Sequence, residues 1–357
     1  MEKYYLLSEK IVIKEKSLKE KNKKITGIIF TRAFCSIGIV IFHYFRHARG
    51  NFKFLYLTAN SSLGYMLVTS FFCISGVVLY YNYPKIKSIR TFYYKRWKSI
   101  FPSFYVCFTY FFLRTAVHFH RLFYKGDWSK IFITIIGFDG FLSYKINTYY
   151  LVGEWFLGAI IILYILYPII LFIVNKNNII INNVIICFFY YLMYKTKYFI
   201  IPKPKNIISC AASFYFGIES IRFKTFYLEN KKVFIISFLL LILFWKIKIN
   251  IKPDMIIFQI HGFCFFITLY QLGKYVMSTK LYIIFYEISI LSYGIYLYHH
   301  KIIYDILLLY NPSEWYYHII LLFFAILLTL ICSKIHLMVV NSILKSYLFK
   351  KIDSFFV

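Results

Sequence analysis

The chain has 357 residues, 61% of them hydrophobic and 23% aromatic, with a formal net charge of +28 and a mean hydropathy of +0.65. That composition excludes an ordinary soluble domain, because apolar runs of about 18 or more residues, each read as a membrane helix, recur along it. The cations lie mainly between those runs, where the positive-inside rule puts them, so the basic balance points to a lipid bilayer and not to nucleic acid.

Residues 1–24 form a charged tail with eight Lys and four Glu. No small-residue cleavage site follows the first apolar run, so that run is expected to be an uncleaved anchor. Ten membrane segments are expected at about 26–45, 61–82, 99–118, 153–174, 179–194, 206–221, 233–249, 255–272, 282–303 and 317–340. The fifth and sixth are the shortest. The stretch WSKIFITIIG (128–137) is too short to span and is expected at the interface or as a re-entrant piece. The predicted fold class is therefore an all-α polytopic integral membrane protein of about ten transmembrane helices. It divides into a basic tail (1–24), a membrane domain (25–345) and a second tail (346–357).

Orientation follows from Lys and Arg. The loop 83–98 holds Lys85, Lys87, Arg90, Lys95, Arg96 and Lys98, and the loop 222–232 holds four more cations. Placing these loops in the cytoplasm puts both termini there as well, which an even helix count requires. Lys195, Lys197, Lys203 and Lys205 share one opposite loop, so the bias favours this orientation without compelling it.

Arg32 and His43 stand on one apolar segment, TRAFCSIGIVIFHYF. Eleven residues cover about 16 Å of helix axis and return to nearly the same face. An Arg near a helix centre costs roughly 2.5–3.5 kcal/mol on insertion scales, and such residues usually face a bundle interior or a wet cavity. Taken singly, Arg32 snorkelling to the headgroups and His43 as a core ring are equally good readings; their shared face favours a lined cavity. With both termini cytoplasmic, His43, Glu154, His261 and His299 fall at comparable depth in the outer half. Imidazoles beside a carboxylate suit proton transfer, the carboxylate setting the tautomer of a ring that acts as base. Glu154, next to a helix start, is equally well read as an exposed interfacial carboxylate.

His43 and His47 have a zinc-compatible i, i+4 spacing, but no third ligand is evident and no metal is expected. His118 and His120 are about 200° apart on a helix and cannot chelate together. The seven cysteines all lie in apolar runs, none in a CxxC spacing, and read as small core hydrophobes. The cations of SIRTFYYKRWKSIFPSFY suit a polyphosphate ligand, or simply anchor the cytoplasmic face.

Four stretches together resemble the membrane acyltransferase-3 family of carbohydrate O-acylating proteins. They are the R-x10-H pair Arg32/His43, LVTSFFCISGVVLYY, KRWKSIFPSFY, and ISILSYGIYLYHH with its Ser-Tyr-x-x-Tyr-Leu-x-His ending on His299. GEWFLGAIIILYILYP adds a Trp-Phe-Leu. The resemblance covers about residues 25–340. It implies a cytoplasmic acyl-CoA donor, usually acetyl-CoA, and a sugar hydroxyl of capsule, lipopolysaccharide or exopolysaccharide as acceptor, at the inner (plasma) membrane. It places the catalytic base, or transient acyl carrier, at His43 and donor binding or site geometry at Arg32. It links the basic turn, through Arg96, Lys98 and Lys95, to CoA. The family's Arg-x-x-Arg is here Arg96-Trp97-Lys98-Ser99, so its second Arg is missing. Where many members carry Glu-Glu-Gln, this chain has Ile160, Ile161 and Ile162, with Glu154 as a replacement acid. Glu154 or His299 would orient His43. A homodimer stays open. The competing readings are a transporter or flippase of a glycan or anion, whose cavity would also carry Arg, Glu and His, and a non-catalytic membrane scaffold.

Overall fold

The computed structural model describes residues 26–124, 127–149, 151–152, 154–195, 205–249 and 254–356. The N-terminal tail lies outside them. Eleven helices of ten or more residues carry the fold: α1 (Thr26–His47), α2 (Leu63–Asn82), α3 (Ile89–His118), α4 (Glu154–Lys176), α5 (Ile179–Lys195), α6 (Ile207–Arg222), α7 (Lys231–Lys246), α8 (Asp254–Val276), α9 (Tyr282–Leu309), α10 (Trp315–Leu344) and α11 (Tyr347–Phe356). No strand occurs among the described residues; an isolated bridge pairs Leu57 with Ser62.

Each of the ten expected segments coincides with one of α1–α10. Six of these helices, α1, α2, α3, α4, α8 and α10, are long and apolar enough to cross a membrane. Helices α5, α6 and α7 have 17, 16 and 16 residues, and α9 is diluted by tyrosines, histidines and Glu287. The described residues thus form an all-helical bundle, and the chain is a multi-pass membrane protein. The stretch 128–137 forms a 3-10 turn (Trp128–Lys130) and a five-residue helix (Ile131–Ile135), too short to span.

Local sequence explains the ends. Ser62, Ser88, Asn206 and Asn230 each accept a hydrogen bond from a first-turn amide, starting α2, α3, α6 and α7. Inside the bundle, hydroxyls turn back on their own helix: Thr31 donates to the Gly27 carbonyl at 2.7 Å, Ser36 to Arg32 at 2.8 Å, and Ser70 to Met66 at 2.9 Å. Such bonds satisfy polar groups where lipid offers no partner.

Helix α1 packs against α2, α8 and α9, and α2 packs against α6 and α8. Among the described residues, α2 and α6 cross closely enough for their backbones to meet. A Cβ on Gly76 would land on the Phe214 carbonyl oxygen, and one on Gly217 would land on that of Cys73. Two small residues therefore let the backbones touch, the usual means of close helix association in membranes. Five of the seven cysteines are buried as expected, whereas Cys332 is intermediate and Cys187 is exposed.

The second tail contains α11, an amphipathic helix docked on the first turns of α3. Lys98 Nζ meets both Asp353 carboxylate oxygens at 2.6 and 2.5 Å, and the Tyr94 hydroxyl donates to Asp353 at 2.8 Å. The Phe356 ring stacks on Tyr94 at 4.6 Å, and Arg90 lies over the Phe355 ring at 4.3 Å. The hydrogen bonds from Lys98 and then Tyr94 hold the Asp353 carboxyl below the usual carboxylate range. A lowered carboxylate pKa favours the docked state above the ordinary value and loses that contribution as pH falls through the lowered one. Asp353→Asn should therefore speed amide exchange across 347–356 at neutral pH. The native chain should match it only below the ordinary carboxylate range of about 3.9. Equal exchange at pH 7 would show that the pair does not hold the helix.

Candidate active site

Helix α1 places Arg32, Ser36, Ile39, His43 and His47 along one stripe, at steps of four, three, four and four. All five line a single cavity of about 680 Å³. The two groups that the sequence put on one face, Arg32 and His43, thus share one void. Helices α2, α4 and α9 supply the other walls, and Ser99 and Ile100 of α3 enter at one end. Gly64, at the start of α2, packs against Phe42, and the ring of Phe285, near the start of α9, lies tilted against Phe30 at 4.7 Å. So α2 runs antiparallel and α9 parallel to α1. Val78, Tyr164 and Tyr293 lie at the Arg32 end; Arg46, Tyr65, Trp155, Lys205 and the histidines lie at the other.

The histidine end is built by α1 against α9. The His43 ring centroid lies 3.9 Å from His300 and 5.3 Å from His299, and those two are 4.5 Å apart. His299 is fully buried. Its Nδ1 donates to the carbonyls of Ile295 and Tyr296, both at 2.9 Å. Carbonyl oxygens only accept, so Nδ1 bears a proton, and in the neutral ring the lone pair is on Nε2. The Leu157 amide, in the first turn of α4, donates to the Tyr296 hydroxyl at 3.1 Å. That bond fixes the α4 entry beside α9 and brings Trp155 and Phe156 into the wall.

The other expected residues are placed as follows. Glu154 opens α4 one residue before Trp155, and its side chain lies outside the described residues. His261 does not join the cluster. It is absent from the lining and sits edge-on to Phe244 at 5.8 Å and Trp245 at 6.3 Å. Arg96, Lys98 and Lys95 are not on the lining either. Arg96 donates to the Tyr83 hydroxyl at 3.1 Å and lies 5.9 Å from the ring of Tyr164, a wall residue, so it sits just behind the Arg32 end. Lys98 faces Asp353, and Lys95 is exposed.

His300 was not expected in the site. Adjacent helix residues point about 100° apart, which argues against both facing one partner. Here α1 crosses the arc between them, and His43 touches both.

The arrangement has a permanent cation at one end and a cluster of imidazoles at the other, joined by a mostly apolar passage. It can hold an anionic or polar group near Arg32 while moving a proton at His43. The family profile described as an acyltransferase domain matches residues 25–334. No curated protein and no solved structure matches the chain. A profile match over most of the length, on an all-helical membrane bundle, has one consequence: the chain belongs to the acyltransferase-3 family and is a membrane acyltransferase.

Proposed function

We propose that this protein is an O-acetyltransferase that moves an acetyl group from cytoplasmic acetyl-CoA to a hydroxyl of a cell-surface carbohydrate, at the inner (plasma) membrane. Ten spans with both termini in the cytoplasm put the Arg32 end on the donor side. The observation that carries the reading is the single cavity lined by both Arg32 and His43.

In this reading the CoA phosphates are gripped by Arg96, Lys98 and Lys95, and the pantetheine arm passes Arg32. The passage from Arg32 to His43, about 16 Å of helix rise, is comparable to an extended arm. His43 takes the acceptor hydroxyl proton. The oxygen attacks the thioester carbonyl, a C–O bond forms, the C–S bond breaks, and the departing CoA thiolate takes up the proton. In a two-step variant His43 carries the acetyl group before the sugar receives it. Glu154, or His299 through its fixed tautomer, orients His43. No step requires a metal. Lys98 is held by Asp353, so a phosphate arriving there replaces one anion with another.

Thermal unfolding in detergent separates this reading from a flippase or scaffold. Acetyl-CoA at 100 times its Kd should stabilise the folded state by about 2.7 kcal/mol, seen as a rise in the midpoint. No shift over a wide concentration range would remove the donor from the proposal. A comparison of glycan masses from cells with and without the protein identifies the acceptor.

A further inference from the structure

The geometry points to a transition-metal site formed by His43, His299 and His300, whose occupation switches the imidazole cluster off as a base. One potential ligand nitrogen from each ring lies within 4.8 Å of the others. Nitrogens on a tetrahedral Zn²⁺ at about 2.0–2.1 Å stand roughly 3.4 Å apart. The rings therefore need to close by little more than an ångström, within the reach of small χ rotations.

Three features make this a site and not a chance gathering. First, His299 already has the outer arrangement that metal-binding histidines use. Its Nδ1–H is fixed on the carbonyls of Ile295 and Tyr296, which aims the Nε2 lone pair away from the α9 backbone. Second, the ligands come from two helices packed against each other, α1 and α9, so the site is held by tertiary structure. Third, all three rings line the cavity, which leaves the fourth coordination position facing open space. Three histidines and an open position form a donor set suited to zinc in its exchangeable sites. His47 stands at the mouth, its ring centroid 6.5 Å from His43 and 6.3 Å from His300, where an entering ion would first meet an imidazole.

The donor set selects the ion. Imidazole nitrogens suit Zn²⁺, Co²⁺, Ni²⁺ or Cu²⁺, whereas Mg²⁺ and Ca²⁺ require oxygen ligands that the trio lacks. Arg46 and Lys205 line the same end and oppose a dication, so a hydroxide, chloride or carboxylate in the fourth position is favoured over neutral water. Coordination uses the nitrogen lone pairs. While the ion is bound, the ligating nitrogen of His43 accepts no proton. The site itself does not depend on the acetyl-transfer reading; only the consequence for catalysis does.

The test uses the full chain purified in detergent without a polyhistidine tag, stripped with chelator, in a Cys187→Ser background because that thiol is exposed. Co²⁺ titrated into this protein should give a visible d–d band that saturates at one equivalent and is bleached by Zn²⁺ but not by Mg²⁺. His300→Ala and His43→Gln should each weaken binding at least tenfold. His261→Ala, which removes a buried ring outside the cavity, should leave it unchanged. An unaltered metal-free melting midpoint establishes that each variant is folded. No saturable band, or equal binding by folded His300→Ala, overturns the site. Zn²⁺ that binds in this assay without lowering acetyl transfer overturns the switch and leaves the site standing. Inhibition reversed by chelator supports both.

Discussion

Replacing His43 with alanine should lower acetyl transfer by about 10²- to 10⁴-fold, the range contributed by a positioned general base, without unfolding the protein. The ring projects into the cavity from an otherwise packed helix, and the neighbours that bury α1, among them Val40 and Tyr44, are untouched. Labelled acetyl-CoA and membranes carrying either form give the rate, and the detergent melting midpoint gives the fold. If His43 acts on the acceptor, the loss lies in kcat while the donor KM stays put. Arg32→Ala, at the other end, should instead raise the donor KM. Unchanged turnover in His43→Ala would remove the base from the mechanism. A rate loss matched by loss of folded protein would reassign the residue to packing.

The largest effect on stability is expected at the α2–α6 crossing. Gly217→Leu should destabilise the bundle by more than about 3 kcal/mol, above the usual cost of overpacking a core. The obstacle is the carbonyl of Cys73, part of a helix backbone that cannot rotate away. Gly76→Leu meets the Phe214 carbonyl and should behave alike. Gly64→Ala is the milder comparison, because its new methyl would meet the flat Phe42 ring, a side chain that can turn. Size-exclusion profiles and melting midpoints in detergent rank the three. A monodisperse Gly217→Leu with the native midpoint would mean that the helices cross less closely than described.

Much of this architecture was legible in the sequence, because in a bilayer every spanning backbone must close its own hydrogen bonds and an apolar run has few alternatives to helix. Boundaries were missed where polarity masks helicity. Helix α3 begins at Ile89, ten residues before its apolar run, because its first turns carry Arg90, Lys95, Arg96 and Lys98. Ser88 was the available cue, a cap that an apolar window does not register. Helix α11 escaped for a related reason, being ten residues long and interleaved with Lys350, Lys351 and Asp353.

Within the site, helical period sufficed for Arg32 and His43 because both sit on one helix. It does not reach His261 or His300, whose placement depends on which face a second helix covers. Depth put His261 beside the others, yet α8 turns that ring toward α7. Neighbours on α9, His299 and His300 point about 100° apart, yet α1 bridges both. The Lys98–Asp353 pair joins positions 255 residues apart, a proximity that no local pattern encodes.

The middle of the cavity bears on selectivity between competing oxygen nucleophiles, of which water is the most abundant. Between its polar ends the passage is walled by Ile39, Val68, Phe71 and Ile160. The Ser36 hydroxyl on that arc is turned back onto the carbonyl of Arg32. Solvent finds few footholds along such a surface, since each molecule entering gives up hydrogen bonds that the wall does not return. On the proposed reaction, an acyl thioester held there would be sheltered from spontaneous hydrolysis by hydration energetics alone, before any specific recognition of the acceptor comes into play.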